Sequence, residues 1–529
     1  MSSAAPPGAA PGGHQDLRRV DWRFLLPSPR LGSVVVLGSP EPELLQGLVA
    51  VAKRVTVDPE ADSAGAYDLA VLTSPTHADL ALASRLLRPG GWAYVEVGRA
   101  GGRELRSSRT CAGALRQLGF EGICRHWHWP SFQACLELVD LDDPGSISMS
   151  LARRQASRAA TLKAALARTL RRLGMLDRAV PCASVLARWG EGPSAGAEHG
   201  IGLLGEPGPG QSLERSGLGT RSTVLLVTPR FETSRAVVAL LAPEGRREPA
   251  FVAKIAREPG PGSAIEREAR NLEAIRSRSG GALHTVPEVV WSAGSEGWPT
   301  LVTTAMNGAL VNPRFVRRHR QEVLEAGLAW TLGLPRSAPC RADERLIRLV
   351  DEPLERLASG LLDGDSLERT RRALEPLRDV ELPVVFEHGD VSHPNLFWLR
   401  GERLGVIDWE LAVPDGLPVV DLVFFVAYVA AAEARAVTPA EHRGAFESAV
   451  APASGWGLDA LRRYARAAGV PDEAIVPLVV ACFARYTAGL AVRSGAGGAN
   501  VAETGDPTGW IRDSRPYALW QAALARAEA

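Results

Sequence analysis

The stretch that decides the reading of this chain is His388-Gly389-Asp390-Val391-Ser392-His393-Pro394-Asn395, which runs on through Leu396-Phe397-Trp398-Leu399, Arg400-Gly401-Glu402-Arg403 and Leu404-Gly405-Val406-Ile407 to Asp408-Trp409-Glu410. Two apolar runs around a polar turn that contains glycine predict a two-stranded ribbon. Such a ribbon folds the chain back and returns Asp408 beside Asn395. Two carboxylates and an amide are thereby gathered. That set suits phosphoryl transfer from MgATP, in which one carboxylate orients or deprotonates the accepting hydroxyl and a second, with an amide oxygen, holds Mg²⁺ on the phosphates. Asp390 fits the first role, and Asn395 and Asp408 fit the second.

Asp390 and Asn395 have the spacing of the protein-kinase catalytic loop, H-R-D-L-x-x-x-N. The residues resemble the aminoglycoside phosphotransferase and choline kinase branch of the kinase-like fold, which writes H-G-D for H-R-D and I-D-x-E or I-D-[FW] for D-F-G. The chain departs from the commoner H-G-D-L-H-P-G-N by having Val391-Ser392-His393-Pro394 before the asparagine. Carboxylate and amide stay in place, while the side chains facing the substrate change. The resemblance implies a two-lobed kinase-like fold, ATP and Mg²⁺ as cofactors and a small-molecule hydroxyl acceptor. Sugar, aminoglycoside, amino alcohol, nucleoside and glycan precursor all stay open as acceptors, as does the choice of ATP over GTP.

A kinase-like lobe needs a strand lysine upstream. Phe251-Val252-Ala253-Lys254-Ile255-Ala256 supplies one that parallels the V-A-I-K pattern. Ile265, Ala269, Leu272 and Ile275 then recur at helical spacing, with Glu268 inside their arc and Glu266 outside it. Glu268 is therefore the better partner for Lys254, in the ion pair that the resemblance implies would place the phosphates. Ser216-Gly217-Leu218-Gly219-Thr220 lies too far ahead of Lys254 to cover a nucleotide. Between the apolar runs Val224 to Val227 and Ala236 to Leu241, the turn holding Thr233 and Ser234 is the alternative, with hydroxyl and backbone donors for phosphate. Gly190 to Gly219 then becomes a linker or flap. Leu301 to Gly308 resembles the hinge between lobes, Pro313 to Leu377 reads as helical and as the acceptor-binding region, and Asp421 resembles the family's brace for the catalytic loop.

Residues 30–145 carry a different pattern. Ser33-Val34-Val35-Val36-Leu37-Gly38 is a buried strand ending in glycine, Val55-Thr56-Val57-Asp58 a second strand, and Tyr67 to Leu72 a third. Asp58 stands where a ribose-binding acid sits in Rossmann-like folds. Leu86 to Val97, with Pro89-Gly90-Gly91 at its turn, resembles the helix, turn and strand of class I S-adenosylmethionine methyltransferases, and Gly119-Phe120 with Cys135 to Leu138 resembles their final antiparallel pair. The glycine-rich loop is reduced to Gly38-Ser39-Pro40-Glu41-Pro42, without the further glycines that let backbone approach a cofactor. Binding of S-adenosylmethionine is therefore not expected, and a scaffold or recruiting role is. The cluster His126-Trp127-His128-Trp129 reads as a strand with a packed face, since two histidines without a third ligand make no metal site.

At 529 residues the chain is too long for one core. The expected division is a disordered tail and lead-in (1–29), a degenerate methyltransferase-like Rossmann domain (30–145), a helical linker (146–176), a kinase-like N-lobe with its hinge (177–311) and a helical C-lobe (312–529). The fold class is thus multidomain α/β and α+β. Lys+Arg and Asp+Glu are 60 each, so no global field draws the chain to nucleic acid or an anionic membrane. The six cysteines form no C-x-x-C pair, which points to a reduced cytoplasm without structural zinc. The apolar stretches Leu417 to Ala434 and Ile475 to Val492 are interrupted by Asp421 and Arg485, as expected of buried helices and not of membrane spans. Oligomeric state is not legible. Two rival functions stay open: an inactive kinase-like binding protein, and a bifunctional methyltransferase-kinase.

Overall fold

In the computed structural model the described residues are 17–57, 64–98, 107–153, 180–190, 207–218, 222–228, 236–244, 248–260, 264–279, 284–295, 297–358, 364–493 and 509–529, with a few isolated positions between them. The chain divides into two compact units. One comprises residues 15–266 with 289–305, the other 267–288 with 306–529.

The first unit is built on one continuous sheet of twelve strands. They are β1 (Leu31–Gly38), β2 (Ala52–Val57), β3 (Tyr67–Thr73), β4 (Leu87–Gly98), β5 (Phe120–Trp129), β6 (Glu137–Asp140), β7 (Cys182–Trp189), β8 (Ser222–Val227), β9 (Ala236–Pro243), β10 (Phe251–Ala256), β11 (Val289–Ser295) and β12 (Trp298–Thr304), in the order β11-β12-β10-β9-β8-β6-β5-β7-β4-β3-β1-β2. Strands β2, β1, β3 and β4 are parallel neighbours. Helices Pro42–Val51 and His77–Leu86 are the crossovers parallel pairing requires, the second opened by a capping box between Thr76 and Asp79. Both faces are covered, so β1 is apolar at every central position. Val34 and Val36 pack with Trp22 and Phe24 on one side, Val35 and Leu37 with Leu80 and Leu115 on the other.

Three expectations need correction. The strand Cys182–Trp189 falls in the range assigned to the kinase-like lobe, yet it lies antiparallel between β4 and β5. The pair β5–β6 forms as expected, but β6 goes on to pair with β8, so no boundary separates the Rossmann-like strands from the later ones. The lead-in also has structure, because Leu17–Leu25 is a 3₁₀ helix whose Val20, Trp22 and Phe24 are buried. Leu17, Val20 and Phe24 recur at helical spacing, a signal that the reading as lead-in passed over. Within the glycine-rich run, Pro207–Arg215 forms a helix that ends at Gly217 with φ +92°.

The second unit is mostly helical, with two three-stranded sheets. β13 (Ala309–Leu310), β16 (Leu396–Leu399) and β17 (Arg403–Val406) form one; β14 (Arg336–Arg341), β15 (Glu381–Glu387) and β18 (Val413–Gly416) form the other. The strand β14 interrupts the stretch from Pro313 to Leu377 read as wholly helical. It is exposed throughout, so it lacks the buried alternation that marks a strand. Helix Val420–Ala434 is almost wholly buried. Among the described residues one helical segment, Asp472–Leu490, is long and apolar enough by composition to cross a bilayer, and two-thirds of it is buried inside the fold.

Candidate active site

The expected ribbon is present. Leu396 pairs with Val406 and Leu399 with Arg403, and the turn uses Gly401 and Glu402 at positive φ. The ribbon closes on the loop through the Ile407 N–H, which donates to the Asn395 carbonyl at 3.0 Å. Asp408 follows in the left-handed region, φ 71° and ψ 64°. Aspartate tolerates that region better than most residues, and strained backbone of this kind clusters at functional sites.

His388 ties loop and ribbon together. It is fully buried; its Nε2 donates to the Ile407 carbonyl at 3.0 Å and its Nδ1 accepts the Asp390 N–H at 3.1 Å, which defines the neutral tautomer. Its ring stands edge-on to Trp409 with centroids 4.6 Å apart. Gly389 has φ +86°, and a Cβ there would stand 2.9 Å from the Leu411 carbonyl oxygen, so conformation and space both call for glycine.

The Asp390 carboxylate is gripped from both sides. Its Oδ1 accepts from the Ser392 hydroxyl at 2.8 Å and its Oδ2 from Asn395 Nδ2 at 3.1 Å; the same Nδ2 reaches the Asp390 carbonyl at 3.2 Å. Asn395 is 3% exposed and spends its amide nitrogen on Asp390, which turns its Oδ1 the other way as an oxygen acceptor. An oxygen donor of this kind, on a loop bonded through Ile407 to the segment that bears Asp408, fits Mg²⁺, which takes one or two protein oxygens alongside phosphates and water. Partial desolvation lowers the His393 imidazole from its usual range.

Glu268 sits on helix Ala264–Arg278 with the buried Ile265, Ala269, Leu272 and Ile275, on the expected face. Its Oε1 accepts from the Trp409 N–H at 3.3 Å. The same helix holds the segment after Asp408 through Asn271, whose Nδ2 donates to the carbonyls of Trp409 and Ala412 at 2.8 and 3.2 Å, and through Arg267, which donates to Glu410 O. Asn271 carries no motif and was missed. Lys254 lies in the middle of β10, opposite Val238 and Leu301. Strands β8 and β9 pair as a hairpin across the proposed nucleotide turn, and Thr233 and Ser234 themselves lie outside the described residues.

Beneath the loop, Asp421 accepts from the N–H groups of His388 and Gly389 at 2.7 and 2.8 Å. Glu387, immediately before the loop, accepts from Arg485 at 2.6 Å. Sequence reasoning noted Asp421 and passed over Glu387, whose partner is remote in the chain.

In the first unit, the order of the parallel strands reverses between β1 and β3, where open α/β sheets bind ligands beyond the strand ends. Here that place is filled by the chain itself. Arg19, 4% exposed, bonds Glu96 at the end of β4 at 2.5 and 2.7 Å and Glu41 after β1 at 3.3 Å. Burial opposes the Arg19 charge, but Glu96 outweighs it and raises its pKa. The Tyr94 hydroxyl donates to Glu96 at 2.9 Å, Trp22 stacks on Tyr94 at 3.8 Å, and His128, held neutral by burial, bonds Ser184 at 2.8 Å. Gly38 has φ +92°, and a Cβ would strike the Thr73 carbonyl. The glycine is thus explained by β3. Asp58 lies outside the described residues.

Loop, ribbon and bracing helix together define a kinase-like phosphotransferase. Residues 231–464 match the model of the phosphotransferase enzyme family. No curated protein matches the chain. Similar solved structures include a choline/ethanolamine kinase family protein from Mesorhizobium loti, 18% identical, covering 61% of this chain and 97% of that one with a TM-score of 0.36. The choline kinase LicA from Streptococcus pneumoniae is 11% identical, with 60% and 97% covered and a TM-score of 0.36. The bifunctional kinase-methyltransferase WbdD is 13% identical, with 86% and 88% covered and a TM-score of 0.22.

Proposed function

We propose that this protein transfers the γ-phosphate of ATP to a hydroxyl group of a small molecule. The observation that carries the proposal is the Ser392–Asp390–Asn395 network, which fixes one carboxylate by two hydrogen bonds and leaves the Asn395 amide oxygen unspent by it, on a loop that the Ile407 N–H ties to the segment bearing Asp408. Asp390 orients the hydroxyl and takes its proton as the phosphoryl group moves. Asn395 and Asp408 hold Mg²⁺, which supplies charge neutralisation on the phosphates when bound. Lys254 and Glu268 are assigned the phosphate-placing pair, and Thr233 and Ser234 the covering turn. ATP use and six free thiols fit a reducing cytoplasm. Methyl transfer is not part of the proposal, because Arg19, Glu96 and Tyr94 fill the place a cofactor would need. The test is an ATP-consumption screen against a panel of sugars, aminoglycosides, amino alcohols, nucleosides and glycan precursors, with product masses recorded. A product heavier by one phosphoryl group, made by the wild type and not by Asp390→Asn, supports the proposal; ATP consumption equal in the two proteins refutes it.

A further inference from the structure

Glu387 is the last residue of β15 and Asp421 stands in the first turn of helix Val420–Ala434; they are 1% and 6% exposed. Each oxygen of Asp421 accepts one N–H of the catalytic loop, so the group acts as an acceptor twice over. Glu387 spends one oxygen on Arg485 at 2.6 Å and the other on the Leu417 N–H at 3.3 Å. Two carboxylates in one buried space are unfavourable unless a cation joins them.

Arg485 is that cation. It comes from helix Ile475–Arg493, in a stretch otherwise apolar, and its side chain is four-fifths buried. The other titratable groups facing the pair are Cys482 on the same helix, Tyr464 on helix Trp456–Ala468 and His388 itself, with Arg336 acting on Tyr464. Burial pushes the Cys482 thiol well up and Tyr464 to about 12, so both are neutral. His388 has its Nδ1 engaged as an acceptor and contributes no charge. Burial, and then Glu387, push the Asp421 carboxyl up to about 7, while Arg485 acts in the opposite direction.

We propose that Arg485 is a positioning residue for phosphoryl transfer: its guanidinium compensates Glu387 and so keeps Asp421 ionised, which holds the His388 and Gly389 amides and, through them, Asp390. The proposal rests on the phosphotransferase reading given above. Protonation converts one Asp421 oxygen into a donor facing a backbone N–H, and the loop loses an anchor. The ionised form is therefore the working one. Turnover falls as pH drops through about 7 in the wild type. Stability runs the other way: a carboxyl whose folded pKa is raised contributes stability that is fully present below its unfolded pKa and lost as pH rises through the folded value.

The test compares wild type, Arg485→Lys, Arg485→Met and the double variant Glu387→Gln/Arg485→Met, the last removing both charges so that the fold has no unpaired buried ion. MgATP hydrolysis and urea unfolding are followed between pH 5.5 and 9. In Arg485→Met the acid limb of turnover moves up by about one pH unit or more, and its unfolding midpoint relative to wild type drops as pH rises. Arg485→Lys and the double variant keep the wild-type limb to within a few tenths of a unit. A limb that stays put in Arg485→Met, with or without a changed unfolding curve, overturns the proposal. Wild-type protein that turns over no ATP sinks the phosphotransferase reading and the positioning role with it, whereas the unfolding curves still report whether Arg485 compensates the two carboxylates.

Discussion

Asp390→Asn tests the chemistry with little disturbance to the fold. The replacement amide turns its oxygen to Asn395 Nδ2 and its nitrogen to the Ser392 hydroxyl, which can accept as well as donate, so both contacts of 2.8 and 3.1 Å survive in neutral form. Losing the charge assistance costs roughly 1 kcal/mol per bond, against the 5–15 kcal/mol typical of a folded domain. The protein therefore folds and binds MgATP, and the thermal shift produced by saturating nucleotide stays near that of the wild type. Turnover does not survive. An amide accepts no proton, and general-base assistance is worth about 10² to 10⁴, or roughly 3–5 kcal/mol of barrier. Single-turnover ADP release with an acceptor from the screen measures that loss directly. Ser392→Ala is the companion, since it removes one of the two bonds to the carboxylate but not the base, and it lowers the rate by about tenfold or less. Asp390→Asn turning over within threefold of wild type would refute the assignment.

Asp408→Ala removes the proposed metal anchor; the stabilisation by MgATP in a thermal-shift titration should vanish, because ligand stabilisation follows RT ln(1 + [L]/Kd), and an unchanged shift would place the metal elsewhere. Gly389→Ala puts a Cβ 2.9 Å from Leu411 O at φ +86°, so a loss of about 1–2 kcal/mol in urea unfolding, with a larger fall in turnover, is expected; full activity would show that the loop does not need this geometry. Titration of the intact chain with S-adenosylmethionine should show no binding as tight as a micromolar Kd, a free energy of about −8 kcal/mol, and a measured micromolar Kd would mean that Arg19 does not fill the crevice.

The site was legible where its geometry is local. Asp390 and Asn395 are five residues apart on one loop, and the apolar runs around Gly401 announce the ribbon that returns Asp408. Glu268 was placed by helical period alone. What failed is non-local. Glu387 and Arg485 are 98 residues apart, and neither neighbourhood marks the other as its partner. Strand β7 shows its apolar pattern plainly, but no local property says that its neighbours are β4 and β5 and not the strands that follow it. Arg19 lies in a short segment whose sequence names no partner, and its meaning comes from Glu96, 77 residues away.

The β6–β8 pairing and the inserted β7 bear on how this chain was assembled and how it comes apart. A gene cut after residue 176 would remove β7 from between β4 and β5 and strip β6 of β8, one of its two neighbours, baring backbone edges that seek new partners and drive aggregation. The Rossmann-like strands are thus not a cassette that recombination could swap in or out at that point. They share one hydrogen-bonded fabric with the strand that bears Lys254, and melting of the first unit should proceed as a single cooperative step.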